Sequence, residues 1–177
     1  VNVLANADAG IDGAAILCGS DAPFALFTAL QGNPDAGGSW FGPNGSAVSD
    51  SFDPTLQPAG TYTYILYVPA PCENDTAAVE MSVVAPVDAG IDGSATLCSD
   101  DPPLTLFNAL GGTPDIGGEW TGPLGPNEGQ FDPAIDAPGG YVYTVIATVP
   151  CPNQSATVTV DVNPLPDAGL NGAITLC

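Results

Sequence analysis

Apolar and polar residues alternate one by one along several stretches of the chain. Tyr62, Tyr64, Leu66 and Val68 fall on one side of an extended segment, with Thr61, Thr63 and Ile65 on the other. Val79, Met81 and Val83 alternate with Ala78, Glu80 and Ser82, and Val158, Val160 and Val162 repeat the pattern. A period of two sends successive side chains to opposite faces, so these stretches predict half-buried β-strands. Residues 14–18 and 38–41 read as two further short strands. No stretch carries a period of 3.6, although residues 24–30 have room for one helical turn. The predicted class is all-β.

The alternation recurs because the sequence does. Asp8-Ala-Gly-Ile-Asp-Gly13 returns as Asp88-Ala-Gly-Ile-Asp-Gly93 and again as Asp167-Ala-Gly-Leu-Asn-Gly172. Between these marks the landmarks keep their order. Cys18 matches Cys98, Leu26-Phe27 matches Leu106-Phe107, and the stretch Pro34 to Trp40 matches Pro114 to Trp120. Phe52-Asp53-Pro54 matches Phe131-Asp132-Pro133, and Tyr62-Thr-Tyr64 matches Tyr141-Val-Tyr143. Such self-similarity is the signature of a repeat array. The expected organisation is a last-strand tail of a preceding repeat over 1–7, whole repeats over 8–87 and 88–166, and the start of a following repeat over 167–177.

Short strands separated by Gly, Pro and Asp turns in a unit of this size predict a tandem immunoglobulin-like β-sandwich. Tyr62 and Tyr141 sit where that fold places a tyrosine corner, and Trp40 and Trp120 where it places an aromatic plug against a disulfide. Core packing is the ordinary role for these rings; an exposed ligand-stacking platform is the alternative.

Composition narrows the function. The chain has 20 acidic residues, no Lys, Arg or His, and a net charge of −20. Phosphate-backbone binding depends on Lys and Arg, so nucleic acid is excluded as a partner. The same field repels anionic membrane surfaces, and no apolar run has the length of a membrane span, so direct insertion is not expected. Disorder competes for an acidic chain with 22 Gly and 19 Pro, but 45% of the residues are apolar and can build a core. Without Lys or Arg the chain offers no site to trypsin-like proteases, an advantage outside the cell. Nucleophilic catalysis has no His or Lys to act as base, and nothing marks a cleft holding a carboxylate pair, so no enzyme activity and no catalytic residue are expected.

Five cysteines stand at 18, 72, 98, 151 and 177. Pairing within units gives Cys18–Cys72 and Cys98–Cys151, leaving Cys177 for a residue beyond this sequence. Pairing across units gives Cys72–Cys98 and Cys151–Cys177. A strand of some eight residues separates Cys72 from Cys98, roughly 27 Å at about 3.4 Å per residue. Bonded Cα atoms lie within about 7 Å, so one disulfide inside each repeat is expected. Such bonds place the protein in an oxidising compartment: secreted, at the extracellular cell surface. With no His and no Cys-x-x-Cys, a zinc site is excluded.

Two kinds of modification or ligand remain. Asp8, Asp12, Asp88 and Asp92 cluster where one repeat hands over to the next, and hard oxygen ligands there suit calcium, the one cofactor suggested. Asp-Gly turns are the alternative explanation. Asn44, Asn74 and Asn153 head Asn-x-Ser/Thr sequons, the latter two in the same turn of successive repeats.

The order Asp-Ala-Gly, Leu-Cys, Leu-Phe, Leu-x-Gly, Pro-Asp-x-Gly-Gly-x-Trp, Phe-Asp-Pro, Gly-x-Tyr-x-Tyr and Pro-Cys resembles repeats of very large secreted surface proteins of Bacteroidota, of the gliding-motility-associated adhesin type, with immunoglobulin-like or PKD-like modules. That resemblance implies export by the type IX system and a place in surface adhesion, filaments or matrix. Thr76, within Asp75-Thr76-Ala77, resembles the O-glycosylation site of that phylum, whereas the aligned Gln154-Ser155-Ala156 departs from it. The expected function is a non-enzymatic filament or adhesin stalk, its partners being neighbouring repeats or identical subunits end to end. A glycan- or protein-binding adhesive module, meeting a surface ligand through loops near Trp40 and Trp120, is the alternative.

Overall fold

A computed structural model of the chain describes residues 6–166. Most of the expected 1–7 tail and all of 167–177, with Cys177, lie outside the described residues. The chain divides into two compact units at the Pro86–Val87 bond, and the segment Ala147–Pro152 belongs to the first of them.

The first repeat runs through β1 (Gly13–Cys18), β2 (Phe24–Ala25), a 3-10 turn (Leu26–Ala29), β3 (Ser39–Phe41), β4 (Ala47–Val48), β5 (Ser51–Phe52), β6 (Gly60–Leu66) and β7 (Asp75–Val84). Its main sheet has the order β1-β7-β6-β3-β4, and β2 pairs with β5 in a small second sheet. All pairings are antiparallel except one: β1 runs parallel to β7, with Gly13 opposite Val79 and Cys18 opposite Val84. The second repeat copies this plan in β8 (Gly93–Cys98), β9 (Leu104–Thr105), a 3-10 turn (Leu106–Ala109), β10 (Glu119–Gly122), β11 (Gly125–Asn127), β12 (Gln130–Phe131), β13 (Gly139–Val145) and β14 (Gln154–Asn163). Its sheets are β11-β10-β13-β14-β8 and β12-β9, again with one parallel pair, β8 on β14.

The period-two pattern explains the core. Tyr62, Tyr64 and Leu66 of β6 and Ala77, Val79 and Met81 of β7 point inward, meeting Leu26, Trp40 and Phe52. Tyr141, Tyr143, Val145, Ala156, Val158 and Val160 do the same around Leu106, Trp120 and Phe131. Val68 does not extend the inward row, because β6 ends at Leu66.

Tyr64 ties this core together. It stands two residues after the corner tyrosine, where an antibody-type domain carries the second cysteine of its inter-sheet bridge. Its ring lies 5.0 Å from Trp40 and meets Phe27 edge-on at 5.5 Å, and Tyr143 repeats both contacts with Trp120 and Phe107. The expected tryptophan plug therefore rests on a tyrosine and not on a disulfide. Offset aromatic pairs of this kind add about 0.5–1.5 kcal/mol each beyond burial.

Candidate functional site

The one disulfide among the described residues joins Cys18 to Cys151 across 133 residues, with Cα atoms 4.8 Å apart. Cys72 and Cys98 are free thiols. This corrects the expected bonds Cys18–Cys72 and Cys98–Cys151. The parallel register of β1 on β7 is the reason: it sets Cys18 beside Val84, at the far end of β7. Cys72 precedes Asp75, at the near end of the same ten-residue strand. Ten strand residues span roughly 30 Å, and a disulfide bridges Cα atoms less than about 7 Å apart. Cys151 is within reach because its loop, Ala147–Pro152, belongs to the first unit although β13 and β14 on either side belong to the second. Its sulfur lies 3.5 Å from the carbonyl oxygen of Val84. Both bonded cysteines are buried.

The turn that presents Cys18 is tightly specified. The Cys18 N–H donates to Asp21 Oδ2 at 2.8 Å, Asp21 N–H donates back to the Cys18 carbonyl at 3.0 Å, and Gly19 N–H donates to the Val84 carbonyl at 2.8 Å. The Ser20 hydroxyl lies 3.2 Å from the Cys18 sulfur.

The four aspartates suggested as calcium ligands have other partners. Asp8 Oδ1 accepts from Gly10 N–H at 2.8 Å, and Asp88 Oδ1 from Gly90 N–H at 2.7 Å. Asp12 Oδ1 accepts from Ala78 N–H of β7, and Asp92 Oδ1 from Thr157 N–H of β14. Asp-Ala-Gly-Ile-Asp-Gly is thus a docking motif for the first strand of a repeat. Its last glycine has a steric cause: a Cβ on Gly13 would lie 1.8 Å from the Ala29 carbonyl oxygen, and one on Gly93 equally close to that of Ala109. Among the described residues, three candidate metal-ligand atoms approach within 4.8 Å only at Cys98, Asp100 and Asp101, all exposed. The first repeat has Ser20 where Asp100 stands, so this trio is not a property of the repeat.

A second recurring network surrounds the Tyr64 hydroxyl. It donates to the Asp35 carbonyl at 2.8 Å and accepts from Gly38 N–H at 2.8 Å; Tyr143 repeats both with Asp115 and Gly118. Pro-Asp-x-Gly-Gly-x-Trp is therefore a loop wrapped round a buried phenol. Trp40 and Trp120 are only 4% and 7% exposed, which leaves no indole face open for stacking a ligand. Shallow depressions border both rings, one of about 410 Å³ beside Phe27, Trp40, Asp50 and Tyr64 and one of about 480 Å³ beside Glu119, Trp120 and Asn127. Among the described residues no carboxylate side chain is buried. Asn44, Asn74, Thr76 and Asn153 are all exposed; Asn74 Oδ1 accepts from Val68 N–H at 3.0 Å.

No protein-family model matches the chain, and no curated protein matches it either. Solved structures do. A titin I-band fragment, I67–I69, superposes with a TM-score of 0.51 at 11% identity, over 87% of this chain and 64% of that one. The insect immune protein hemolin superposes with a TM-score of 0.52 at 14% identity, over 86% of this chain and 46% of that one. The chain thus spans less than two thirds of either protein. With their β-strand order, parallel first strand and corner tyrosines, the two repeats have an immunoglobulin-like, all-β fold.

Proposed function

We propose that the chain is a segment of a non-enzymatic extracellular structural protein whose tandem repeats form a cell-surface filament or adhesin stalk. The observation that carries this reading is the Cys18–Cys151 bond. It joins the first strand of one repeat to a loop of the next, so tension entering at β1 passes through sulfur to β14 without crossing the strands between. Such a bypass suits an array that bears load.

Other features agree. Persistent disulfides belong to oxidising compartments. Repeats that touch mainly their neighbours suit extension. The resemblance to secreted Bacteroidota surface proteins points the same way, and the domain arrangement of hemolin has implications for homophilic adhesion by that protein. The partners are neighbouring repeats. A glycan-binding role resting on Trp40 and Trp120 is disfavoured by their burial.

Electron microscopy of the native assembly tests the proposal. Uniform fibres beaded at roughly 35–45 Å, the span of one sandwich, are expected for a filament, and finite stalks carrying a distinct head for a stalk. Isolated globular particles would refute both.

A further inference from the structure

We infer that Cys98 and Cys72 are the two halves of the same disulfide, left open here and closed between one repeat pair and the next. The inference rests on the repeat reading above, not on the filament itself.

Each half is a structural copy of a half already bonded. Cys98 ends β8 as Cys18 ends β1. Cys98 N–H donates to Asp101 Oδ2 at 2.6 Å, Asp101 N–H to the Cys98 carbonyl at 3.1 Å, and Ser99 N–H to the Asn163 carbonyl at 3.0 Å. These are the three bonds that shape the turn at Cys18. Cys72 follows a proline and donates its N–H to the Pro69 carbonyl at 3.2 Å, as Cys151 follows Pro150 and donates to the Thr148 carbonyl at 3.0 Å. A depression of about 540 Å³ opens beside Cys72 between Ala7, Pro71, Glu73 and Asp75. Cys98 is exposed and Cys72 half-buried, so both thiols are within reach of a partner.

The partner is a further repeat of this kind, and the chemistry is thiol–disulfide exchange. The Cys98 thiolate attacks a small-molecule or protein disulfide and displaces one thiol; the Cys72 thiolate of the next repeat then attacks the Cys98 sulfur and displaces the second. Two protons and two electrons leave the cysteines, and the oxidant disulfide becomes two thiols.

The consequence is mechanical. With every junction bonded, the array holds a covalent route that jumps from Cys18 to Cys151, follows the peptide for 26 residues to Cys177, and jumps again. Fully extended at about 3.6 Å per residue, that peptide stretch reaches only roughly 94 Å for each pair of repeats. At roughly 35–45 Å for each sandwich, the array is close to inextensible.

The test is a tandem duplication in which Pro166 is followed directly by Asp8 of a second copy, keeping the repeat register. Serine replaces Cys72 in the first copy and Cys98 and Cys177 in the second. The chain is oxidised with glutathione disulfide, its thiols are counted with Ellman's reagent, and its bonds are mapped after Asp-N digestion, since no Lys or Arg serves trypsin. Free thiols should fall from two to none per chain, with a Cys98–Cys72 peptide inside monomers. A second duplication keeps only the outer pair, Cys72 of the first copy and Cys98 of the second. It should form no bond within the chain and instead cross-link head to tail into a ladder. Two surviving thiols in the first duplication, or Cys98–Cys98 dimers, would overturn the inference. These outcomes are independent of fibre morphology, so failure here is distinct from failure of the filament reading.

Discussion

The hydroxyl of Tyr62 donates to the carbonyl of Pro58 across 2.9 Å, and Tyr141 makes the same bond to Ala137, also at 2.9 Å. Each ring is almost wholly buried, yet its one polar atom reaches the backbone four residues upstream. The turn before β6 is shaped for this. Asp53 N–H donates to Gln57 Oε1 at 2.7 Å, while Thr55 N–H donates to Asp53 Oδ1 at 2.9 Å. Phe-Asp-Pro and Gly-x-Tyr are thus two ends of one corner.

Removing that hydroxyl tests the corner directly. Tyr62→Phe should cost about 1 kcal/mol, the net worth of a hydrogen bond made in the fold. Tyr67→Phe, at an exposed ring, should cost nothing measurable. Urea midpoints of the two variants check this; equal midpoints would mean that the corner bond contributes no stability.

The same burial sets a response to alkali. Burial pushes the Tyr62 phenol above its ordinary 10.0. Burial and, secondarily, the charge of Asp136 push Tyr141 the same way. A raised folded pKa favours the neutral ring in the folded state. The stability involved is fully present below pH 10 and is lost as pH climbs through the folded values. Urea midpoints should therefore fall above about pH 10, and by less in the Tyr62→Phe, Tyr141→Phe double variant. Serine at Cys72, Cys98 and Cys177 keeps alkaline thiol exchange out of the measurement. Identical slopes in both backgrounds would refute it.

Gly13→Ala and Gly93→Ala should each destabilise by about 3 kcal/mol or more, because the new methyl meets a carbonyl oxygen and not a yielding side chain. Thermal melts of both variants, with Gly140→Ala as a tolerant control, decide it. A Cβ at Gly140 comes no nearer than 3.5 Å to the Thr157 methyl. Unchanged melting in either variant would refute the docking role given to the motif.

With a net charge of −20 and no cationic side chain, the folded chain repels itself. Raising NaCl from about 0.01 M to about 0.15 M shortens the Debye length from about 30 Å to about 8 Å and should raise the melting temperature. CaCl₂ at matched ionic strength separates screening from binding. The aspartates at 8, 12, 88 and 92 are engaged with backbone N–H groups, so equal shifts in the two salts are expected. A larger shift in calcium would restore them as ligands.

Much of this fold was open to reading in the chain because period-two burial leaves a local trace: the inward rows of Tyr62 and Tyr64 and of Val79 and Met81 follow from alternation alone. The corner tyrosines were legible too, since their acceptors lie only four residues away. The disulfide was not. Its partners are set by β1 running parallel to β7, a pairing between residues some 66 apart that no local pattern records. Arguing from strand length correctly keeps Cys72 from Cys98, but the same length also separates Cys18 from Cys72. Likewise, the backbone N–H groups that the aspartates at 8, 12, 88 and 92 accept from could not be read from the motif, because those of Asp12 and Asp92 lie some 65 residues away.

If load bypasses both repeats through sulfur, single-molecule extension should register it. The chain is pulled from its ends before and after reduction with dithiothreitol. Oxidised, the residues between Cys18 and Cys151, a sequence separation of 133, should stay hidden. Reduction should release them, adding roughly 480 Å of contour at about 3.6 Å per residue. Equal contour lengths in the two states, or a gain matching the far shorter Cys18–Cys72 loop, would rule out the bypass.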